Sequence, residues 1–251
     1  MKLKELLKIL NETRKTINVE TPFIVGGAVR DKYTNKLSNI LDIDITNGSS
    51  TINLLSNAFY KKLQENYNIT KKVMSDGHSS IFIGNLKIDF SSNFIVNNIE
   101  VLLKELNIKS PTKLQKEIYS RDFTCNTLLM TTDLKNIVDP TKKGFEDINK
   151  KNIMTCLSPN ITLTSNRNRV ARSIYLACKL DFNVDKRIID FVKKYPNSVK
   201  VASQKTLEEK LNFAFDKDPD KASFLIKEMG LWDYIPITKE IYPFYIKQKG
   251  K

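Results

Sequence analysis

Two aspartates at alternate positions of a short apolar segment are the first residues in this chain with a clear chemical use. Asp42 and Asp44 lie in the segment LDIDI, where apolar and acidic residues alternate as in a β-strand. Side chains two residues apart on a strand leave the same face, so both carboxylates point the same way. Oxygen ligands without histidine or cysteine suit Mg²⁺, which would relieve the repulsion between the two charges. The alternative is the solvated face of an edge strand.

Two further features favour a metal-dependent phosphate site. The strand LKIDF carries a third carboxylate, Asp89, which could complete a cluster with the first two. Upstream, PFIV reads as a strand that runs into Gly26 and Gly27 where a helix starts, so backbone N–H groups there can approach an anion. A glycine pair alone indicates only a tight turn. Followed about fifteen residues later by two strand aspartates, it predicts a triphosphate-binding loop beside a two-metal site.

The composition limits the other kinds of chemistry. The 251 residues include 41 Lys and Arg against 28 Asp and Glu, and the resulting charge of +13 suggests a polyanionic partner such as nucleic acid. The single histidine, His78, excludes His-rich zinc sites and paired-histidine catalysis. Three scattered cysteines without a CxxC pair favour a reducing, intracellular and cytoplasmic compartment. No apolar run approaches the roughly 20 residues that span a bilayer, so no membrane association is expected.

The elements that must position these residues indicate an α+β chain. The first half reads as helix, strand, helix, strand and helix, followed by a hairpin of SIFIG with LKIDF. Turns are expected at Asn47-Gly48 and Asp76-Gly77. From about Asp147 the β pattern fades, and helical stripes follow at 169–180, 187–195, 207–215 and 221–229. We therefore expect a mixed-sheet head followed by an all-α region.

Five segments, in this order, resemble the successive motifs of the class II tRNA CCA-adding enzymes and bacterial poly(A) polymerases. They are IVGGAVRD (24–31), LDIDI (41–45), RDFTCNTLL (121–129), DPTKKGFEDI (139–148) and RVARSIYLACKLDF (169–182). That family belongs to the polymerase-β-type nucleotidyltransferases. The resemblance implies a nucleotidyltransferase head domain over 1–148, a helical neck that recognises the base over 149–216, and a short, truncated helical body over 217–251.

The same resemblance implies roles for single residues. Asp42, Asp44 and Asp89 would bind two Mg²⁺ ions, which activate the 3′-OH of the primer and hold the triphosphate. The incoming CTP or ATP would be bound by Gly26, Gly27, Arg30, Arg121, Asp122, Asn126, Asn166, Arg169 and Arg172. Structural alternatives remain for several of them. Arg30 could pair with Asp31, Arg121-Asp122 could be an ion pair, and Asn126 could cap a turn.

The predicted neck helix departs from the family pattern at its start. Where the family has Glu-Asp-x-x-Arg, this chain has Ser165-Asn166-Arg167-Asn168-Arg169, so an amide replaces the carboxylate that reads the base. An amide oxygen accepts from the amine of C or A, but the amide NH₂ can equally donate to a carbonyl of U or G. We therefore expect weaker selectivity against UTP and GTP, or an altered preference. The alternative is that Asn166 acts as a helix N-cap.

The resemblance implies a template-independent RNA nucleotidyltransferase that adds CMP and AMP to the 3′ end of tRNA, in CCA addition or repair. Two alternatives stay open, an enzyme that tails RNA as poly(A) polymerase does and a non-catalytic RNA-binding relative. The tail with which the family grips the tRNA elbow has no counterpart in these 251 residues. An oligomer or an accessory protein could supply that grip.

Overall fold

The computed structural model describes residues 2–36, 41–74, 77–91 and 94–250. The chain forms two compact units. The first unit runs to Arg121 and resumes over Cys125–Phe145, and the second comprises Asp122–Thr124 and the chain from Glu146 onward. Asp76, half of the turn expected at Asp76-Gly77, lies outside the described residues.

The first unit is built on one mixed sheet. Its helices are α1 (Leu3–Thr16), α2 (Gly27–Tyr33), α3 (Ile52–Gln64), α4 (Ile99–Glu105) and α5 (Lys113–Tyr119). Its strands are β1 (Phe23–Val25), β2 (Asp42–Thr46), β3 (Ile69–Val73), β4 (Ser79–Ile83), β5 (Leu86–Phe90), β6 (Leu129–Thr131) and β7 (Ile137–Val138). They lie in the order β3-β4-β5-β2-β1-β6-β7.

The sheet separates an apolar face from a polar one because its central strands alternate in residue type. Strands β2 and β5 pair in parallel, with Ile43 opposite Ile88 and Ile45 opposite Phe90. All four side chains are buried, and the Phe90 ring lies 6.1 Å from that of Phe59 on α3. The intervening residues on β2 and β5 therefore occupy the opposite face.

The second unit is mainly helical. Helix α6 (Gly144–Asn149) leads into it, and a 3₁₀ helix covers Pro196–Val201. A further 3₁₀ helix, Thr124–Asn126, begins in the second unit and ends in the first. Its further elements are β8 (Asn152–Ile153), α7 (Pro159–Ser165), α8 (Asn168–Leu180), β9 (Asn183–Val184), α9 (Lys186–Lys194), α10 (Gln204–Lys217), α11 (Pro219–Glu228) and α12 (Tyr242–Gln248).

Side-chain caps begin several of these helices. Ser158, Asp185, Ser203 and Asp218 each accept a hydrogen bond from a backbone N–H of the first turn, of α7, α9, α10 and α11 respectively. Such caps satisfy N–H groups that have no partner within the helix. The buried face of α8 carries the apolar residues Val170, Ile174 and Ala177.

The predicted α+β class is confirmed, with two corrections. The second unit is not entirely helical, because β8 and β9 form a short parallel pair. Three strands of the head were missed, β3, β6 and β7. Strand β3 reads ITKKV, and lysines of this kind are typical of an exposed sheet edge, where β3 lies. In the described part of the chain, no helix combines the length and apolar character needed to cross a membrane.

Candidate active site

The register of β2 and β5 places the predicted carboxylates on one face of the sheet. Asp44 lies opposite Asp89, and Asp42 lies opposite Lys87. Because the strands are parallel and side chains alternate, these four side chains share the polar face. The sequence predicted that Asp42 and Asp44 share a face. That Asp89 lies beside Asp44 became clear only from the order of the strands in the sheet.

Asp44 is the innermost of the three carboxylates. Burial raises the pKa of Asp44, and the charges of Asp89 and Asp42 raise it further, against the opposing effect of Arg121 and Lys87. A carboxylate that is poorly solvated and close to other negative charges is stabilised by a nearby cation. This side chain therefore favours a bound positive charge.

Gly26 packs directly against Asp44. Strand β1 pairs with β2 so that Val25 lies opposite Asp44, which brings Gly26 to the carboxylate. A Cβ atom at Gly26 would lie 2.6 Å from Asp44 Oδ2, and the backbone there has φ +83° and ψ −148°. Only glycine adopts that conformation without strain. A Cβ at Gly27 would meet only the end of the Arg30 side chain, at 3.3 Å.

The two glycines give a matched pair of substitutions. Gly26→Ala is expected to destabilise the protein by about 1–3 kcal/mol, the strain of a non-glycine residue in this region. It should also displace the Asp44 carboxylate and slow any reaction that depends on it about a hundredfold, as misplacement of a reacting group by about 1 Å can do. Gly27→Ala should change stability by less than about 1 kcal/mol, since Gly27 has ordinary helical geometry. Thermal unfolding and the rate of that reaction measure the two effects, and equal behaviour of the two variants would contradict this interpretation.

Lys87 bears on whether these residues fit a metal ion. Its ammonium pairs with Asp89 and lies 3.8 Å from Asp42, while the Ser80 hydroxyl donates to Asp89 at 2.5 Å. Among the described residues, no three acidic, histidine or cysteine side chains are grouped closely enough to form a metal cluster. The carboxylates nevertheless offer hard oxygen ligands on one face of the sheet, and the Lys87 ammonium already pairs with two of them, Asp42 and Asp89. The set fits a divalent cation that replaces the Lys87 ammonium.

Glu117 is a site residue that the sequence reasoning missed. Its carboxylate accepts from Arg121 Nη2 at 2.7 Å and from Nε at 3.1 Å, and the Thr46 hydroxyl donates to its other oxygen. Arg121 also donates to Ser91 Oγ at 2.9 Å. This buried network holds the Arg121 guanidinium in the field of Asp44. The signal was available, since Glu117 precedes Arg121 by four residues, the spacing at which oppositely charged side chains pair on a helix.

Arg30 and Asn126, both expected to bind the nucleotide, contact each other. Arg30 is only 3% exposed, and its Nη1 donates to Asn126 Oδ1 at 2.5 Å. Its Nε donates to Asp31 Oδ1 at 2.9 Å, so the structural alternative of an Arg30–Asp31 pair is observed. The pair is not on a surface helix, however, because the guanidinium is buried. A buried arginine that is held on two sides is fixed in position.

Within the second unit, Asp122 and Arg172 form an ion pair. Arg172 Nε donates to Asp122 Oδ2 at 2.8 Å, and Arg172 Nη2 lies 2.6 Å from the same oxygen. Burial alone would raise the pKa of Asp122, but the charges of Arg172 and Arg169 and the hydrogen bonds from Arg172 and the Phe123 N–H together lower it. Arg169 is buried and donates to the Thr162 carbonyl at 3.0 Å and to Ser165 Oγ at 2.9 Å. Helix α8 therefore carries its two arginines in defined orientations.

The Asn166 side chain makes the contact expected of the capping alternative. Its Oδ1 accepts from the Asn168 N–H, the first residue of α8, at 3.1 Å. The side chain is also exposed. The amide oxygen is engaged by the backbone, so the exposed NH₂ is the group left to meet a ligand.

Comparison with known proteins adds the following findings. Residues 22–154, just over half of the 251, match the family described as Poly A polymerase head domain. A tRNA nucleotidyltransferase of Schizosaccharomyces pombe is 25% identical over 77% of this chain and 42% of its own length. A CCA-adding enzyme of Limosilactobacillus reuteri is 24% identical over 94% of this chain and 57% of its own length. The chain thus spans about half the length of these relatives.

Solved structures share the fold. A tRNA-processing enzyme in an apo form superposes with a TM-score of 0.70 at 19% identity, over 98% of this chain and 63% of that one. A CCA-adding enzyme of Thermotoga maritima, solved with tRNA, gives a TM-score of 0.68 at 19% identity, over 91% and 51%.

Proposed function

We propose, since the chain belongs to the poly(A) polymerase head-domain family, that it transfers nucleotides from CTP and ATP to the 3′ end of tRNA. The product would be a completed or repaired CCA end. The observation that carries the proposal is the register of Asp44 with Asp89 beside Gly26. The named relatives are a tRNA nucleotidyltransferase and a CCA-adding enzyme, which supports this substrate class.

The proposed mechanism assigns each group of residues one task. Asp42, Asp44 and Asp89 would hold Mg²⁺, and the chemistry that Mg²⁺ supplies when bound is activation of the primer 3′-OH and neutralisation of the triphosphate. Gly26 leaves room for the Asp44 carboxylate, because any side chain there would collide with it.

Arg121 is proposed to orient the incoming nucleotide. The Glu117 carboxylate and the Ser91 hydroxyl fix its guanidinium, so it does not have to be ordered when the substrate binds. Arg169 and Arg172 are proposed to take part in base recognition from α8.

Base selection is proposed to depend on Asn166. Asn166→Asp is expected to raise the preference for CTP and ATP over UTP and GTP about tenfold, because a carboxylate accepts from the base amine but cannot donate to a carbonyl. Aspartate is as good an N-cap as asparagine, so the start of α8 should be kept. Competition between labelled nucleotides measures the selectivity. Unchanged selectivity with unchanged stability would restrict Asn166 to the capping role.

Incubation of the purified protein with tRNA that lacks CCA, Mg²⁺ and each labelled nucleotide tests the proposed function. We expect incorporation of CMP and then AMP, with a product of fixed length when all four nucleotides are present. A product that keeps growing would instead indicate RNA tailing. Absence of incorporation over a range of Mg²⁺ and Mn²⁺ concentrations would leave a non-catalytic RNA-binding relative.

The proposed substrate also bears on location and partners. The cysteines Cys125, Cys156 and Cys178 are buried thiols, and burial raises the pKa of Cys178 to about 12. Thiols of this kind need no oxidising compartment. We therefore propose that the protein acts on tRNA in the cytoplasm. An oligomer or accessory protein that extends the RNA-binding surface remains a prediction.

A further inference from the structure

A cavity of about 740 Å³ lies within the second unit, between α7, α9 and the 3₁₀ helix Pro196–Val201. Its wall includes Arg167, Phe191, Lys194, Tyr195, Asn197 and Ser198. None of these residues belongs to the predicted base-reading set of Asn166, Arg169 and Arg172. The volume lies in the range of about 300–1,000 Å³ that is usual for small-molecule sites. We call it the α7–α9 cavity.

The charge of this cavity suits an anion. Arg167 and Lys194 line it, and its wall contains no acidic residue. In the described ranges, no carboxylate lies within ion-pairing distance of either side chain. Other basic residues of the second unit do pair with aspartates, namely Lys151, Arg172, Arg187 and Lys221. Two cations in one concave wall without a carboxylate attract a phosphate group.

The aromatic residues of the cavity suit a base. Tyr195 is 48% exposed although its ring lies against Phe191, with the ring centroids 5.2 Å apart. Lys194 Nζ lies 5.2 Å from the Tyr195 centroid, so a cation and an exposed ring adjoin. An aromatic ring beside basic groups is the usual platform for an unpaired base of single-stranded RNA.

A polar group of the wall also lacks a partner. The Ser198 Oγ is buried, and the described part of the chain offers it no hydrogen-bond partner. Buried polar groups without a partner are rare and are stabilised when a ligand supplies one. The neighbouring amide of Asn197 adds a donor and an acceptor to the same wall.

We infer that the α7–α9 cavity binds one unpaired nucleotide of an RNA strand. Its phosphate would lie between Arg167 and Lys194, and its base would stack on Tyr195. The inference rests on the proposed function in one respect, the assumption that the polyanionic substrate is RNA. It adds a second point of RNA attachment, separate from the carboxylates of the first unit.

Fluorescence anisotropy with a labelled single-stranded oligoribonucleotide, without added nucleoside triphosphate, tests this inference. Tyr195→Ala should weaken binding at least about tenfold, whereas Tyr195→Phe should bind like the unmodified chain, because stacking needs only the ring. The double variant Arg167→Ala/Lys194→Ala should lower the slope of log affinity against log salt by about 0.7, for the one phosphate that lies between the two side chains. Lys186→Ala, at the other end of α9, is the matched charge control and should change the slope by less than half that amount.

Three results would overturn the inference. The first is binding within twofold of the unmodified chain for both Tyr195→Ala and the double variant. The second is an equal loss for Lys186→Ala, which would indicate a general surface charge. The third is equal competition by an abasic oligonucleotide, which would indicate an anion site without base recognition.

The outcome is separable from that of the proposed function. If the unmodified chain adds no nucleotide to tRNA while Tyr195→Ala still weakens RNA binding, the cavity stands and the catalytic proposal falls. If nucleotide addition is observed and RNA binding is insensitive to Tyr195, the reverse holds.

Discussion

Asp44→Asn is expected to lower the rate of nucleotide addition by at least about a thousandfold. The asparagine side chain has nearly the shape of the aspartate but no charge with which to hold a divalent cation. Metal-ion catalysis is worth several kcal/mol of barrier, of which each 1.36 kcal/mol is a factor of about ten. Single-turnover primer extension with saturating nucleotide measures the rate. Asp190→Asn, an exposed aspartate on α9, is the matched control and should leave the rate unchanged.

Stability separates this catalytic effect from misfolding. The pKa of Asp44 is raised by burial and by neighbouring carboxylates, so in the folded protein its ionised form is disfavoured. A raised carboxyl pKa gives stability at low pH that is lost as the pH rises through the folded pKa. Asp44→Asn should therefore be at least as stable as the unmodified protein at neutral pH, with a gain that shrinks in acid. Loss of activity together with a large loss of stability would contradict this account.

Arg172→Ala is expected to destabilise the second unit by about 2 kcal/mol. The substitution leaves the Asp122 carboxylate buried without its hydrogen bond and its ion pair with Arg172. Removal of one partner of a fully buried ion pair costs about 3–5 kcal/mol. The value expected here is smaller because the Arg172 side chain is 40% exposed and solvent screens the pair. Urea unfolding followed by fluorescence of the single tryptophan, Trp232, reports on this unit.

The pH dependence of that effect has a definite sign. The pKa of Asp122 is lowered in the folded state, so the ion pair contributes stability above the unfolded carboxyl pKa of 3.8 and loses it as the pH falls through the folded value. The difference between Arg172→Ala and the unmodified protein should be full at neutral pH and should shrink in acid. Lys179→Ala, an exposed position on the same helix, should change stability by less than about 0.5 kcal/mol. A pH-independent difference for Arg172→Ala would mean that packing rather than charge is lost.

Local patterns in the sequence were enough to predict the elements that carry the site. The alternation in LDIDI and LKIDF predicted β2 and β5 because one face of each strand is buried and the other is polar. The spacing of Val170, Ile174 and Ala177 predicted α8 for the same reason, with a helical period.

The partners of the site residues could not be predicted from such patterns, because they depend on contacts between distant segments. Thr46 meets Glu117 across 71 residues of sequence, and Arg30 meets Asn126 across 96. The pairing of Lys87 with Asp89 was accessible in principle, since residues two apart on a strand share a face. The α7–α9 cavity could not be predicted from the sequence, because it depends on how α7 packs against α9.

Binding of Mn²⁺ to the carboxylates of β2 and β5 is the most direct test of the central claim. Electron paramagnetic resonance can count the Mn²⁺ ions bound in the presence of a non-hydrolysable CTP analogue, with Mg²⁺ as the competitor. We expect the unmodified protein to bind Mn²⁺ that Mg²⁺ displaces, and we expect Asp44→Asn to bind at least one ion fewer. Equal binding by the two proteins would mean that the Asp44 carboxylate holds no metal ion, and the account of this site would be wrong.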